Sequence, residues 1–224
     1  MNDWIAKLFE NADMLEMGHC QRRDDLNLGM GWLYYGLARL IRPRNAVVIG
    51  SYRGFTPLVI AKALAENVED GAVHFIEPSL VDDFWKDVER VTHHFEEHGI
   101  SNVVHHPLTT QDFAESETYG ALEDVGLLLI DGYHTADQAR FDYQAFAPKL
   151  TANAVTLFHD SVVDYDSRIY GEDRRYRYSV SQFMDELKAD PSLQVFDLPF
   201  AFGLTLVRAA VPDAGAATAG PGDR

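Results

Sequence analysis

A chain of 224 residues, 46% hydrophobic and 24% charged, suits one globular α/β domain rather than a disordered polymer. A formal net charge of −16 works against nucleic acid and anionic membranes as partners, since both attract basic faces, and points to small molecules. The single cysteine, Cys20, excludes an intrachain disulfide; with no leader-like start and no run of about 20 apolar residues, a cytoplasmic protein is expected, and association into a homo-oligomer stays open.

Residues 1–43 read as a helical cover, with Leu33, Leu37, Leu40 and Ile41 at helical spacing before Pro43. Trp32, Tyr34 and Tyr35 would line an acceptor pocket or, as helix aromatics more often do, pack into the core. Short apolar runs then alternate with helical patterns: Ala46–Ile49, Ala72–Ile76, Val103–His105, Val125–Ile130 and Ala154–Phe158. Such alternation gives a parallel sheet covered by helices on both faces. Between the runs, Thr56-Pro57 predicts one helix start and Thr135-Ala-Asp-Gln138 another. Residues 164–178, charged and tyrosine-rich, predict an inserted loop over the crevice, and Val180–Lys188 a helix. Gln194–Leu198 and Gly203–Val207 would close the sheet as an antiparallel edge. The expected architecture is a doubly wound, Rossmann-like, mostly parallel sheet of seven strands. It forms a single domain over 1–211, with the cover at 1–43, the core at 44–211 and a disordered tail at 212–224.

The chemistry sits where strands end. The first run leads into Gly50-Ser51-Tyr52-Arg53-Gly54-Phe55-Thr56, whose glycines let backbone approach a ligand, although any tight α/β turn can use them too. Tyr52 stands where a dinucleotide loop would have its second glycine, which counts against NAD. The second run ends at Glu77, an acid able to accept both hydroxyl protons of a ribose. After the third come Thr109, Thr110, Gln111 and Asp112, suited to an adenine edge or to capping a helix. The fourth run ends in Asp131-Gly132-Tyr133-His134 and the fifth in His159-Asp160, so two neighbouring strands present two carboxylates and two imidazoles to one crevice. His93-His94 and His105-His106 read as surface or loop histidines, and Arg174 to Arg177 as a solvated loop.

These motifs, in this order, resemble the class I S-adenosylmethionine-dependent methyltransferases, in particular the small metal-dependent O-methyltransferases of the catechol and macrocin/mycinamicin sugar types. The resemblance covers residues 25–208 in element order. It implies a methyltransferase acting on a hydroxyl of a small molecule, in secondary metabolism, with S-adenosylmethionine and a divalent metal as cofactors. It makes Gly50, Ser51, Tyr52, Gly54 and Thr56 the methionine-side loop, Glu77 the ribose acid, Thr110 and Gln111 the adenine segment, and Asp131 a cofactor and metal residue. His134 falls at the catalytic base, and His159 and Asp160 at the second metal pair.

Two positions depart from the pattern. Val48 stands where many relatives carry an acid, and His159 replaces a hard oxygen ligand, so its imidazole either lies outside the metal's first shell or shifts preference from magnesium toward a transition metal. A nucleotide-dependent oxidoreductase or hydroxylase would share the Glu77 contact, but lacks here the added iron-binding triad. A degenerate methyltransferase fold serving as a binding protein is the remaining class.

Overall fold

The computed structural model describes residues 1–16, 18–67, 69–168 and 173–210. The five expected runs form β1 (Asn45–Ile49), β2 (Ala72–Ile76), β3 (Val103–His106), β4 (Val125–Ile130) and β5 (Leu150–His159), all paired in parallel. Two short strands, β6 (Tyr165–Ser167) and β7 (Tyr176–Tyr178), pair with each other. The late pair, β8 (Leu193–Leu198) and β9 (Leu204–Ala209), completes a seven-stranded sheet of order β3-β2-β1-β4-β5-β9-β8. The antiparallel strand β9 lies inside β8 and pairs with both neighbours.

Side chains alternate across each strand, so β4, buried over its whole length, feeds two cores. Leu127 and Leu129 meet Val48, Phe55 and Leu58 beneath α1 (Asn2–Leu8), α2 (Gly31–Ile41), α3 (Phe55–Ala65) and α4 (Val88–Glu96). Leu128 and Ile130 meet Val47, Ile49, Phe146 and Phe158 beneath α5 (Thr110–Ala114), α6 (Glu117–Ala121), α7 (Ala136–Phe146) and α8 (Val180–Ala189). In α3, nine of eleven residues are buried, because α2 covers the face turned away from the sheet. Among the described residues no helix is long and apolar enough to cross a membrane.

Several local expectations need correction. The cover is not continuously helical: α1, a 3₁₀ turn at Ala12–Leu15 and α2 are separated by a loop in which Arg22 and Asn27 exchange backbone hydrogen bonds. Gly29 shows why, since its φ of +58° is left-handed and a Cβ there would strike the His19 carbonyl. The buried residues of α2 are Gly31, Tyr34 and Ala38 rather than the leucine stripe; Leu33, Leu37 and Ile41 are only partly buried, and Leu40 is 78% exposed. The Tyr34 phenol finds a partner 3.0 Å away in His19, which makes its complete burial tolerable. Gly54, not Thr56, caps α3, and Pro57 occupies the first turn, where its missing N–H is harmless. Thr135 caps α7 as expected, and Thr109 caps α5. The inserted segment 164–178 contains the β6–β7 pair; its residues 169–172, like the expected tail at 212–224, lie outside the described residues.

Because β1 to β5 run in parallel, their carboxyl ends share one edge, and the strand order reverses between β1 and β4. Gly50 lies at this reversal with φ +75°, where an added Cβ would lie 2.5 Å from both Asp131 O and Gly132 Cα. Gly50→Ala is therefore expected to lose about 2–4 kcal/mol of stability, combining left-handed strain with overpacking. Chemical denaturation checks this, and a loss below the error of the method contradicts it.

Candidate active site

At that edge the strand ends surround a cavity of about 630 Å³. Of the predicted site residues, Gly50, Ser51, Tyr52, Glu77, Thr110, Gln111, Asp131, His134, His159 and Asp160 line it. Gly54 and Thr56 do not: Gly54 packs against Trp85 and His94, and Thr56 is buried in α3. Trp32, Tyr34 and Tyr35 are also absent from the wall.

One half of the cavity is lined with groups suited to a nucleoside. Glu77 leaves β2 and accepts hydrogen bonds from Ser79 N at 2.6 Å and Ser51 N at 3.4 Å. Burial pushes its carboxyl above the ordinary value, and these two donors oppose the shift. The glycine loop is braced from behind: the Arg53 guanidinium lies 3.8 Å over the Tyr52 ring and pairs with Asp13 at 3.0 Å and Asp82 at 2.8 Å. Trp85 Nε1 donates to Tyr52 O at 3.2 Å. Across the cavity Gln111 donates to Gln138 at 2.9 Å, and Gln138 to Asp142 at 2.7 Å.

Asp142 is a wall residue that the motifs did not flag, at 1% exposure. Its signal was available, because it falls on the helical stripe of Thr135, Ala139 and Phe146 that faces inward. Burial raises its carboxyl to about 6 against the hydrogen bonds from Thr110 and Gln138.

The other half concentrates carboxylates and imidazoles. His159 Nδ1 lies 2.9 Å from Asp131 Oδ1 and 3.5 Å from Asp160 Oδ1. His134 Nδ1 lies 3.7 Å from Asp160 Oδ2, and its ring stacks on Tyr178 at 4.2 Å. Tyr165 donates to Asp160 at 2.8 Å and stacks on Phe202, so Tyr165, Tyr178 and Phe202 give this end an aromatic wall. Both His134 (φ +51°) and Asp160 (φ +52°) take left-handed backbone, a conformation that side-chain residues adopt mainly where surrounding structure imposes it. Burial lowers His134, which keeps its imidazole neutral near pH 7. Burial alone would lower His159 as well, but Asp131 and Asp160 outweigh it and raise the ring. Burial alone would raise Asp131; His159 and His19 outweigh it and hold the carboxyl well below the usual range.

His19 is a further group absent from the sequence reading. The loop before α2 brings it, fully buried, to 3.5 Å from Asp131 Oδ2 and to a ring separation of 4.2 Å from His159. Its only sequence signal was a histidine after Gly18 in an irregular segment. Of the other histidine pairs, His93 is exposed as expected, whereas His94, His105 and His106 are not. His94 is buried with Nε2 on Arg53 O at 2.9 Å, and burial lowers it to about 4. His105 contacts Glu77 O at 3.0 Å.

Residues 47–161 match the family described as Methyltransferase domain, and the chain belongs to that family. Its fold is that of the class I methyltransferases. An O-methyltransferase from Bacillus cereus, solved with S-adenosylhomocysteine, superposes with a TM-score of 0.66 at 14% identity, covering 93% of this chain and 91% of that one. The O-methyltransferase TomG from Streptomyces achromogenes, solved with S-adenosylmethionine, gives 0.62 at 17% identity over 94% and 89%. The uncharacterized protein y4gI of Sinorhizobium fredii is 28% identical over 189 residues, 79% of this chain. The chain spans 19% of that relative's length.

The Asp142 environment generates a pH test. Its folded form keeps its proton to about pH 6, while an unfolded chain releases it near 3.8, so the wild type loses stability as pH rises between these values. Relative to wild type, Asp142→Asn is expected to be about 2–3 kcal/mol better off at pH 8 than at pH 4. Urea unfolding at the two pH values measures this, and an offset that does not change with pH contradicts it.

Proposed function

We propose that the protein transfers the methyl group of S-adenosylmethionine to a hydroxyl of a small molecule. The observation that carries the reading is convergence: the glycine loop, Glu77, Thr110–Gln111 and the group of carboxylates and imidazoles all meet in one cavity within a methyltransferase-family fold. One domain over residues 1–211 is part of the proposal, as is service in secondary metabolism, where the aromatic wall of Tyr165, Tyr178 and Phe202 would face a flat acceptor.

The Gly50–Tyr52 backbone would hold the methionine part of the donor, Glu77 the ribose hydroxyls, and Thr110, Gln111 and the Gln138–Asp142 pair the adenine. A sulfonium donor is already activated, so the protein's tasks are alignment of the acceptor oxygen and removal of its proton. His134 would take that proton, with Asp160 beside Nδ1 to steady the imidazolium. Asp131, His159 and Asp160 fit a divalent metal, because the buried His159 ring lies between two carboxylates, with Nδ1 2.9 Å from Asp131 Oδ1 and 3.5 Å from Asp160 Oδ1. Such an ion, when bound, would lower the acceptor's pKa.

The grouping of His19, Asp131 and His159 favours a second reading, a hydroxylase-like oxidoreductase, since two histidines and a carboxylate can serve iron. Calorimetry with S-adenosylhomocysteine and with NADH separates the two, and tight NADH binding without the thioether ligand would defeat the methyltransferase proposal.

Glu77→Ala is expected to weaken S-adenosylhomocysteine binding by about 1.5–3 kcal/mol, the range for charge-assisted hydrogen bonds. Unchanged affinity in calorimetry would remove Glu77 from the site. His134→Ala is expected to lower turnover on a methylated hydroxyl acceptor by about 10²–10⁴ with cofactor affinity nearly constant. Near-normal turnover in that variant would make His134 structural.

A further inference from the structure

We propose that His19, Asp131 and His159 form a two-histidine, one-carboxylate centre for a transition-metal dication, with His19 supplying a ligand from the N-terminal loop. The inference rests on the methyltransferase reading for the purpose of the cavity and adds to the strand-end residues a ligand from the N-terminal loop and the class of ion.

Distances support it first. One donor atom from each residue lies within 4.8 Å of the others. The nearest pairs are His159 Nδ1 to Asp131 Oδ1 at 2.9 Å and His19 Nε2 to Asp131 Oδ2 at 3.5 Å. Two ligands each about 2.1 Å from one ion, at octahedral to tetrahedral angles, stand about 3.0–3.4 Å apart. The two Asp131 separations lie close to that span.

Unmet bonding capacity supports it second. Apart from their ion-pair contacts with Asp131 and Asp160, His19 Nε2 and both ring nitrogens of His159 are buried with no well-directed hydrogen-bond partner. Buried polar atoms rarely remain so, and an ion among them satisfies several at once. The Tyr34 hydroxyl is directed to Met30 Sδ at 3.7 Å, so its oxygen can accept from His19 Nδ1–H at 3.0 Å. In that tautomer Nε2 carries the free lone pair that a cation beside Asp131 would take. A metal-bound histidine commonly donates its second N–H to such a partner.

His19 is also fixed in place. Its N–H donates to Gln21 at 3.0 Å, its carbonyl accepts from Met30 N at 2.8 Å, and its ring stacks on Phe55 at 5.2 Å. Two imidazoles favour zinc, iron, cobalt or nickel, whereas magnesium favours octahedral oxygen. The group of His94, Glu97 and His98 also meets the distance condition but has His94 Nε2 engaged by Arg53 O and an exposed Glu97, so it serves as the internal control.

The test uses the full chain stripped of metal, titrated with Co²⁺ by calorimetry and visible d–d absorption, with Mg²⁺ and S-adenosylhomocysteine titrated in parallel. Co²⁺ is expected to bind at least about ten-fold more tightly than Mg²⁺, and His19→Gln to weaken Co²⁺ by about ten-fold or more while His98→Gln leaves that binding unchanged. Should His19→Gln fail to fold, Tyr34→Phe keeps the buried ring and is expected to weaken Co²⁺ through loss of the Nδ1 partner. Absence of Co²⁺ binding, a preference for Mg²⁺, dependence on His98, or indifference to these His19 and Tyr34 variants overturns the proposal. Failure of the wild type to bind S-adenosylhomocysteine would instead overturn the methyltransferase reading, and the Co²⁺ result would still stand as measured.

Discussion

The constraint on which the site depends is the burial of the Asp131 carboxylate at the end of β4. A carboxylate withdrawn from water is costly unless partners compensate it, and the fold brings imidazoles to both of its oxygens, His159 at 2.9 Å and His19 at 3.5 Å. Much of the surrounding architecture serves those two contacts. His159 arrives because β5 pairs in parallel beside β4 and ends at the same edge. His19 arrives because Gly29 lets the loop fold tightly onto it and Tyr34 takes up its other nitrogen.

The same edge explains why the Glu77 end and the Asp131–His159 end share one cavity. In a parallel sheet every strand ends at the same edge, so β1, β2 and β4 place Gly50, Glu77 and Asp131 just past their ends, beside His159 at the end of β5, without long-range adjustment. Arg53 then ties the N-terminal segment to the glycine loop by pairing with Asp13, and ties that loop to the segment after β2 by pairing with Asp82. The net charge of −16 is unevenly placed: at the cavity, Asp142 and Asp160 are buried and Glu77 and Asp131 largely so, each held by hydrogen bonds or imidazoles.

The strands and the strand-end residues were legible because β4 and its neighbours are buried on both faces, leaving apolar runs that stop abruptly at polar residues. His19 was not legible, since its position depends on a loop whose geometry is fixed by contacts with α2 and α3 distant in sequence. Asp142 was legible only in retrospect, through an acid on an inward helical stripe. The apolar stripe of α2 was legible in part: Leu33, Leu37 and Ile41 pack against the core half-buried, Leu40 is exposed, and the fully buried positions are Gly31, Tyr34 and Ala38. Thr56-Pro57 misled because the turn before it supplies Gly54, whose left-handed φ of +81° starts the helix two residues earlier than a threonine cap would.

The most direct measurement of the central claim is a crystal structure of the chain with S-adenosylhomocysteine. The account expects the ribose hydroxyls on Glu77, the adenine between Thr110–Gln111 and the Gln138–Asp142 pair, and the sulfur turned toward Asp131 and His134. A ligand bound outside the cavity, or one with its ribose away from Glu77, would contradict it.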